Sequence, residues 1–245
     1  MLALRAQKAF GLDAIPIRAE NPAETRRIEI PEAPAAPKAA AEHSTNVPTA
    51  EKRRLLADLD ENQVKRCTLC RLCEQRTNTV FGEGDPDAKI MFIGEGPGEN
   101  EDLQGRPFVG RAGDLLNKMI LGMGLKREQV YIANIVKCRP PQNREPAPDE
   151  VATCTPYLEK QIEIIRPRVI VTLGRPALQH MLQQKISISR MRGQWQSWRG
   201  IRLMPTFHPA YILRSYTEET RAAVWSDLQQ VMAELGMPIP KRKGT

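Results

Sequence analysis

Four short apolar runs recur along the chain, separated by longer stretches whose apolar residues come at helical spacing. The runs are residues 89–94 (KIMFIG), 129–135 (QVYIANI), 168–174 (RVIVTLG) and 201–207 (IRLMPTF), and their length and β-branched content predict strands. Between and after them the spacing predicts helices over 111–123, about 148–165, 175–184 and about 219–235. A further helix is expected to start near Thr49, taken as its N-cap, and to run through EKRRLLADLDENQVKRC towards the first cysteines. Strands alternating with helices imply an α/β fold with a parallel sheet covered on both faces. In such sheets ligands bind beyond the carboxyl ends of the strands.

The chemically expressive residues sit at those ends. GEGPGENED (94–102) follows the first strand, Asn134 ends the second, and His208 follows the fourth. Gly94, Gly96 and Gly98 do not complete a dinucleotide fingerprint, because its sixth position is Glu99 and three acids would repel a pyrophosphate. A glycine-rich loop carrying Glu95 fits close backbone approach to a ligand, with a carboxylate placed to handle water. Of the three histidines, His43 and His180 read as surface or packing residues, which leaves His208 as the functional candidate.

Composition narrows the class. The 245 residues accommodate one domain of about 200 residues plus an extension. No apolar run is long enough for a membrane span, and the N-terminus lacks the apolar segment of a secretory signal, so a cytoplasmic protein without membrane attachment is expected. Residues 1–50, rich in proline and alanine, predict a disordered or linker-like extension; residues 51–236 form the expected domain, and 237–245 a basic tail. Net charge is +7, and the first 50 residues are charge-balanced, so the excess lies in the body and points weakly to a polyanionic partner.

The five cysteines, Cys67, Cys70, Cys73, Cys138 and Cys154, suit a metal or cluster site better than disulfides. Cys67-x2-Cys70 and Cys138-x15-Cys154 supply four thiolates, compatible with zinc or a [4Fe–4S] cluster. Spacing does not decide between them, although the wide second pair leans towards the cluster.

GEGPGENED, GRPFVGRAG (105–113), NIVKCRPPQNR (134–144), VTLG (171–174), RGQW (192–195) and FHPAY (207–211) together resemble the family 4, iron–sulfur type uracil-DNA glycosylases, in family order over about residues 60–235. The resemblance implies a three-layer α/β/α fold around a short parallel sheet, with a structural [4Fe–4S] cluster on Cys67, Cys70, Cys138 and Cys154, and Cys73 spare. It implies hydrolysis of the N-glycosidic bond of uracil in single- or double-stranded DNA by a monomer, leaving an abasic site in base-excision repair.

The same resemblance distributes the roles. Extrusion of the nucleotide exposes the base. His208 reaches uracil O2, backbone N–H groups near Gly96 assist, and Glu95 positions the attacking water. Phe108 stacks on the base, Asn134 reads its edge and Glu101 crowds C5. The loop 208–214 resembles the family's DNA insertion loop, with Tyr211 within it, Ile212 or Leu213 as the wedge, and Arg192 and Arg214 as phosphate contacts. A relative of this family that becomes covalently trapped on uracil-DNA uses a histidine inserted after the first motif; residues 105–113 have neither, so turnover is expected. Two rivals stand beside this reading: a non-enzymatic DNA-binding module on a zinc scaffold, and the same fold acting on a different base.

Overall fold

The computed structural model describes residues 47–240, so the expected extension and basic tail fall largely outside the described residues. The four apolar runs form the centre of one sheet: β2 (Ile90–Gly94), β3 (Tyr131–Asn134), β4 (Val169–Leu173) and β6 (Ile201–Thr206). Two short strands that the hydrophobic pattern did not predict close its edges, β1 (Glu83–Gly84) and β5 (Gln196–Trp198). The order is β1-β3-β2-β4-β6-β5, with the four inner strands parallel and both edge pairs antiparallel.

β2, β3 and β4 are buried along their whole length because both faces are covered. Met91 and Ile93 face one core, where α1 (Thr49–Leu59), α4 (Pro148–Ile165) and α5 (Arg175–Leu182) pack; Ile90 and Phe92 face the other, beneath α3 (Arg111–Gly122) and α8 (Glu218–Glu234). The expected three layers are therefore present. Each fully buried large apolar side chain, Phe92 or Leu116 for example, contributes roughly 1.5–3 kcal/mol. Three further short helices are α2 (Glu99–Gln104), α6 (Ile188–Met191) and α7 (Pro209–Arg214). No helix among the described residues is long and apolar enough to cross a membrane.

Thr49 is not the N-cap of α1. Pro48 takes that place, and the Thr49 hydroxyl donates to Asp87 instead. After Leu59 the helix widens into a π segment, Asp60–Val64, which delivers the chain to Cys67. Helix α4 starts at Pro148, pre-set for a first helical position, with the Ala147 N–H donating to Glu150 Oε2 at 2.8 Å. It carries Cys154 inward.

The chain winds outward from β2 in both directions, to β3 on one side and to β4 and β6 on the other. The crevice at that reversal lies at the carboxyl ends of the strands. Gly94 lies opposite Asn134 in the register, and Leu173 opposite Thr206.

Candidate active site

A cleft of about 700 Å³ opens at this crevice, lined by Glu95 and Gly96 after β2, Asn134 at the end of β3, Gly174 and Arg175 after β4, and Phe207 and His208 after β6. Glu101, Phe108, Tyr211 and Arg214 also line it.

Asn134 is buried, and its Oδ1 has no hydrogen-bond partner. An orphaned buried acceptor costs about 1–3 kcal/mol, so such an atom usually has a ligand to meet. It lies so close over Gly94 that a Cβ there would come within 2.4 Å of Oδ1 and 2.6 Å of the Phe108 ring. Only glycine lets the amide and the ring approach the strand end together.

Phe108 faces the cleft from a left-handed backbone conformation, φ 51°, which is uncommon for a bulky residue. Its carbonyl is held by Arg127 Nη1 at 3.2 Å, and Arg127 also bonds Asn117 and Glu83. Gly113 makes room, because a Cβ there would stand 1.9 Å from the Phe108 oxygen. Glu101 fixes the same loop, its Oε1 accepting from the N–H groups of Val109 at 2.9 Å and Gly110 at 3.1 Å.

The His208 ring lies 5.6 Å from the Phe108 ring, tilted by 34°. Its Nδ1 accepts from the Ala210 N–H at 3.1 Å, which leaves Nε2 to carry the proton of the neutral ring. Burial, together with the Arg214 charge, lowers its pKa to about 4, while Glu101 pulls the other way. The imidazole is thus a neutral donor at neutral pH. Glu95 is shifted in the opposite sense: burial, then the neighbouring Glu145 charge, raises it to about 7, and Arg175 partly opposes this. Arg175 and Glu145 form an ion pair of 2.9 Å at the cleft margin.

A separate, largely apolar cavity is lined by all five cysteines with Val64, Leu72, Arg76, Lys137 and Tyr157. Arg76 Nη1 lies 3.1 Å from Cys138 Sγ, and the Lys137 N–H donates to Cys154 Sγ at 3.3 Å. Burial raises the Cys138 thiol and pushes Cys154 up to about 12. Among the described residues no three His, Cys, Asp or Glu side chains are grouped so as to hold a single metal ion.

Residues 81–229 match the model of the uracil DNA glycosylase superfamily. The chain belongs to this superfamily. It is 50% identical over 73% of its length to a type-4 uracil-DNA glycosylase of Thermotoga maritima, covering 94% of that protein. It is also 47% identical to a type-4 uracil-DNA glycosylase of Sulfurisphaera tokodaii and 46% to that of Saccharolobus solfataricus, covering 74% and 73% of this chain and 85% and 86% of theirs. The resemblance read from the motifs is therefore borne out.

Within this glycosylase fold, the residues expected around the base, Glu95, Gly96, Glu101, Phe108, Asn134 and His208, share one cleft. The expected DNA-contacting residues divide. Tyr211 is exposed and Arg214 lines the cleft. Ile212 is fully buried in the core beneath α3, so in this conformation it is not a wedge; Leu213 is half-buried against the same core. Arg192 is committed within the fold, bonded to the buried Asp227 and the Ala223 carbonyl and packed 5.7 Å from the Phe207 ring. It is thus not presented to a phosphate. Sequence reasoning gave no role to Arg127, the Glu145–Arg175 pair, or Gly113 and Lys137, although the last two fall inside quoted motifs. Gly113 also left a physical signal, a glycine in the first turn of a helix, where the residue type is otherwise unfavourable.

Proposed function

We propose that this protein excises uracil from DNA by hydrolysing the C1′–N1 bond, leaving an abasic site for base-excision repair. The observation that carries the reading is the orphaned Asn134 Oδ1 in a cleft with a stacking ring, a neutral histidine and a desolvated carboxylate. Uracil offers an N3–H donor and an O4 acceptor, and an asparagine amide answers both. Cytosine offers the reverse pair and is matched only if the Asn134 amide turns over.

Phe108 stacks on the extruded base. As the glycosidic bond opens, its electron pair moves to N1 of uracil, and His208 Nε2–H donates to O2 where charge accumulates, with N–H groups near Gly96 assisting. A neutral donor suits this task because it stays protonated at Nε2 while Nδ1 is held by Ala210. Glu95, ionised above about pH 7, orients a water and takes its proton as the oxygen joins C1′. Glu101, anchored to the 109–110 backbone, would crowd C5 and disfavour thymine. Arg214 and Tyr211, which line the cleft, would contact the strand flanking the base, with Leu213 the remaining apolar candidate for a wedge.

The cysteine cavity fits a [4Fe–4S] cluster held by Cys67, Cys70, Cys138 and Cys154. The donor set is all sulfur, the sulfurs surround a shared cavity rather than a point, and N–H groups of Arg76 and Lys137 aim at two of them. Thiolates need such compensation when buried. When bound, the cluster supplies cross-linking rather than redox chemistry, tying the 67–73 segment to β3 and α4. Cys73 shares the cavity, and its replacement by serine should leave the iron content unchanged, whereas Cys138→Ser should lower it. We further propose that the domain spans residues 51–236 and that the protein works as a cytoplasmic monomer on single- or double-stranded DNA.

Incubating the purified protein with a uracil-containing oligonucleotide, followed by alkali, tests the activity. Scission at uracil alone is expected. Scission at another base, or none, overturns the assignment.

A further inference from the structure

Lys137 is among the largest fully buried side chains, and among the described residues no carboxylate lies within ion-pair distance of it. A buried ammonium is costly unless its protons are hydrogen-bonded. They are directed: Nζ donates to the Asn134 carbonyl at 2.9 Å and to Gln161 Oε1 at 2.6 Å. Gln161 is itself fixed, its Nε2 donating to the Phe81 carbonyl at 2.9 Å and Tyr131 Oη at 3.2 Å. The Lys137 main chain is anchored as firmly, its N–H on Cys154 Sγ and its carbonyl accepting from the Val80 N–H at 2.7 Å.

We propose that Lys137 is a positioning residue for base recognition, acting through Asn134: it clamps the peptide of Asn134 against the α4 core and so holds the side-chain amide over Gly94. The inference rests on the reading of Asn134 as the residue that meets the uracil edge. Asn134 lies at the last pairing of β3 with β2, and the far side of its peptide is tied to the neighbouring strand at one end only, the Ile135 N–H donating to the Gly94 carbonyl at 3.0 Å. The Lys137 bond fixes the other end of that peptide, the Asn134 carbonyl. A displacement of the amide of about 1 Å is enough to lower a rate by roughly 100-fold. The same lysine lines the cysteine cavity, so base reading and the cysteine-bearing segment share one buried contact.

A double-mutant cycle on the holoenzyme tests this. Lys137→Met, close in shape, is expected to slow single-turnover uracil excision about 10- to 100-fold. It should weaken free uracil binding, measured by calorimetry, in the same direction, with iron per chain and affinity for uracil-free DNA unchanged. In an Asn134→Ala background the same substitution should produce no further loss. A further loss of equal size there would mean that Lys137 acts on the fold or the leaving anion directly, and would overturn the proposal, as would a Lys137→Met enzyme with parental uracil affinity. If Lys137→Met does not yield folded holoenzyme, Lys137→Gln enters the same cycle with the same expected non-additivity. If Asn134→Ala leaves uracil excision intact, the base-reading assignment itself has failed; if Asn134→Ala is slow and Lys137→Met is not, only the coupling has.

Discussion

Two polar regions flank His208, and they are built in opposite ways. On the cleft side, Asn134 Oδ1 has no partner, the Glu95 carboxylate makes no hydrogen bond among the described residues, and His208 turns Nε2 outward from its bond to Ala210. On the core side, the fully buried Asp227 accepts from Thr206 Oγ1 at 2.7 Å and from Arg192 Nε at 3.1 Å, and Arg192 also reaches the Ala223 carbonyl. Both regions hold charged or strongly polar groups out of water. One is satisfied internally and fixes where β6 turns into the His208 loop. The other is left incomplete, as expected where a ligand supplies the missing partners.

The largest effect separating the two should come from His208. His208→Ala is expected to slow the chemical step about 10²–10³-fold with little loss of DNA affinity, the scale for removing one anion-stabilising donor. Pre-steady-state rates with the binding isotherm measured alongside check it, and equal losses in binding and rate would place His208 among the binding groups instead.

Next is pH. Glu95 must be ionised to take a proton from water, so the single-turnover rate should fall as pH drops through about 7, approaching tenfold per unit below it. His208, already neutral down to about 4, should add no limb in that window. The two groups change stability with pH in opposite directions. The raised value of Glu95 makes its contribution largest below the ordinary carboxylate range and lost as pH rises through about 7. The lowered value of His208 gives a contribution present above about 6.5 and lost as pH falls towards 4. A rate limb that persists in Glu95→Gln would reassign it.

The core side should respond in stability rather than chemistry. Arg192→Met leaves Asp227 buried without its ion pair and is expected to cost about 3 kcal/mol of unfolding free energy, with the rate per folded molecule preserved. Arg214→Met should do the reverse: stability within about 0.5 kcal/mol, weaker DNA binding, and a salt dependence shallower by about one counterion. Denaturant titration and binding at several salt concentrations distinguish them. The smallest effect belongs to residues 1–46, whose removal should leave excision on short oligonucleotides nearly unchanged.

Much of this was legible in the chain. The four inner strands are apolar runs buried on both faces, so their boundaries moved by no more than two residues, and the glycine-rich loop, Asn134 and His208 fell at strand ends as the topology requires. The edge strands were not legible: Glu83–Gly84 and Gln196–Trp198 are two and three residues long and half-exposed, so neither run length nor alternation marks them. Arg192 was misread because its partner, Asp227, lies 35 positions away on another helix. Ile212 was misread because Pro209 starts a helical turn that rotates it inward while leaving Tyr211 exposed. Lys137 falls inside the NIVKCRPPQNR motif, but its burial and its bond to the Asn134 carbonyl are set by the tertiary packing and are not visible in the sequence.

The claim at the centre is that the unsatisfied amide of Asn134 reads the uracil edge, and Asn134→Asp tests it most directly. The substitution keeps size and replaces the donor facing O4 with an acceptor. Single-turnover kinetics on matched oligonucleotides carrying uracil or cytosine should show uracil excision falling by about 10²-fold or more, the scale of an unpaired buried polar contact, with the ratio of rates moving towards cytosine. Uracil excision at the parental rate, with discrimination against cytosine unchanged, would contradict the account.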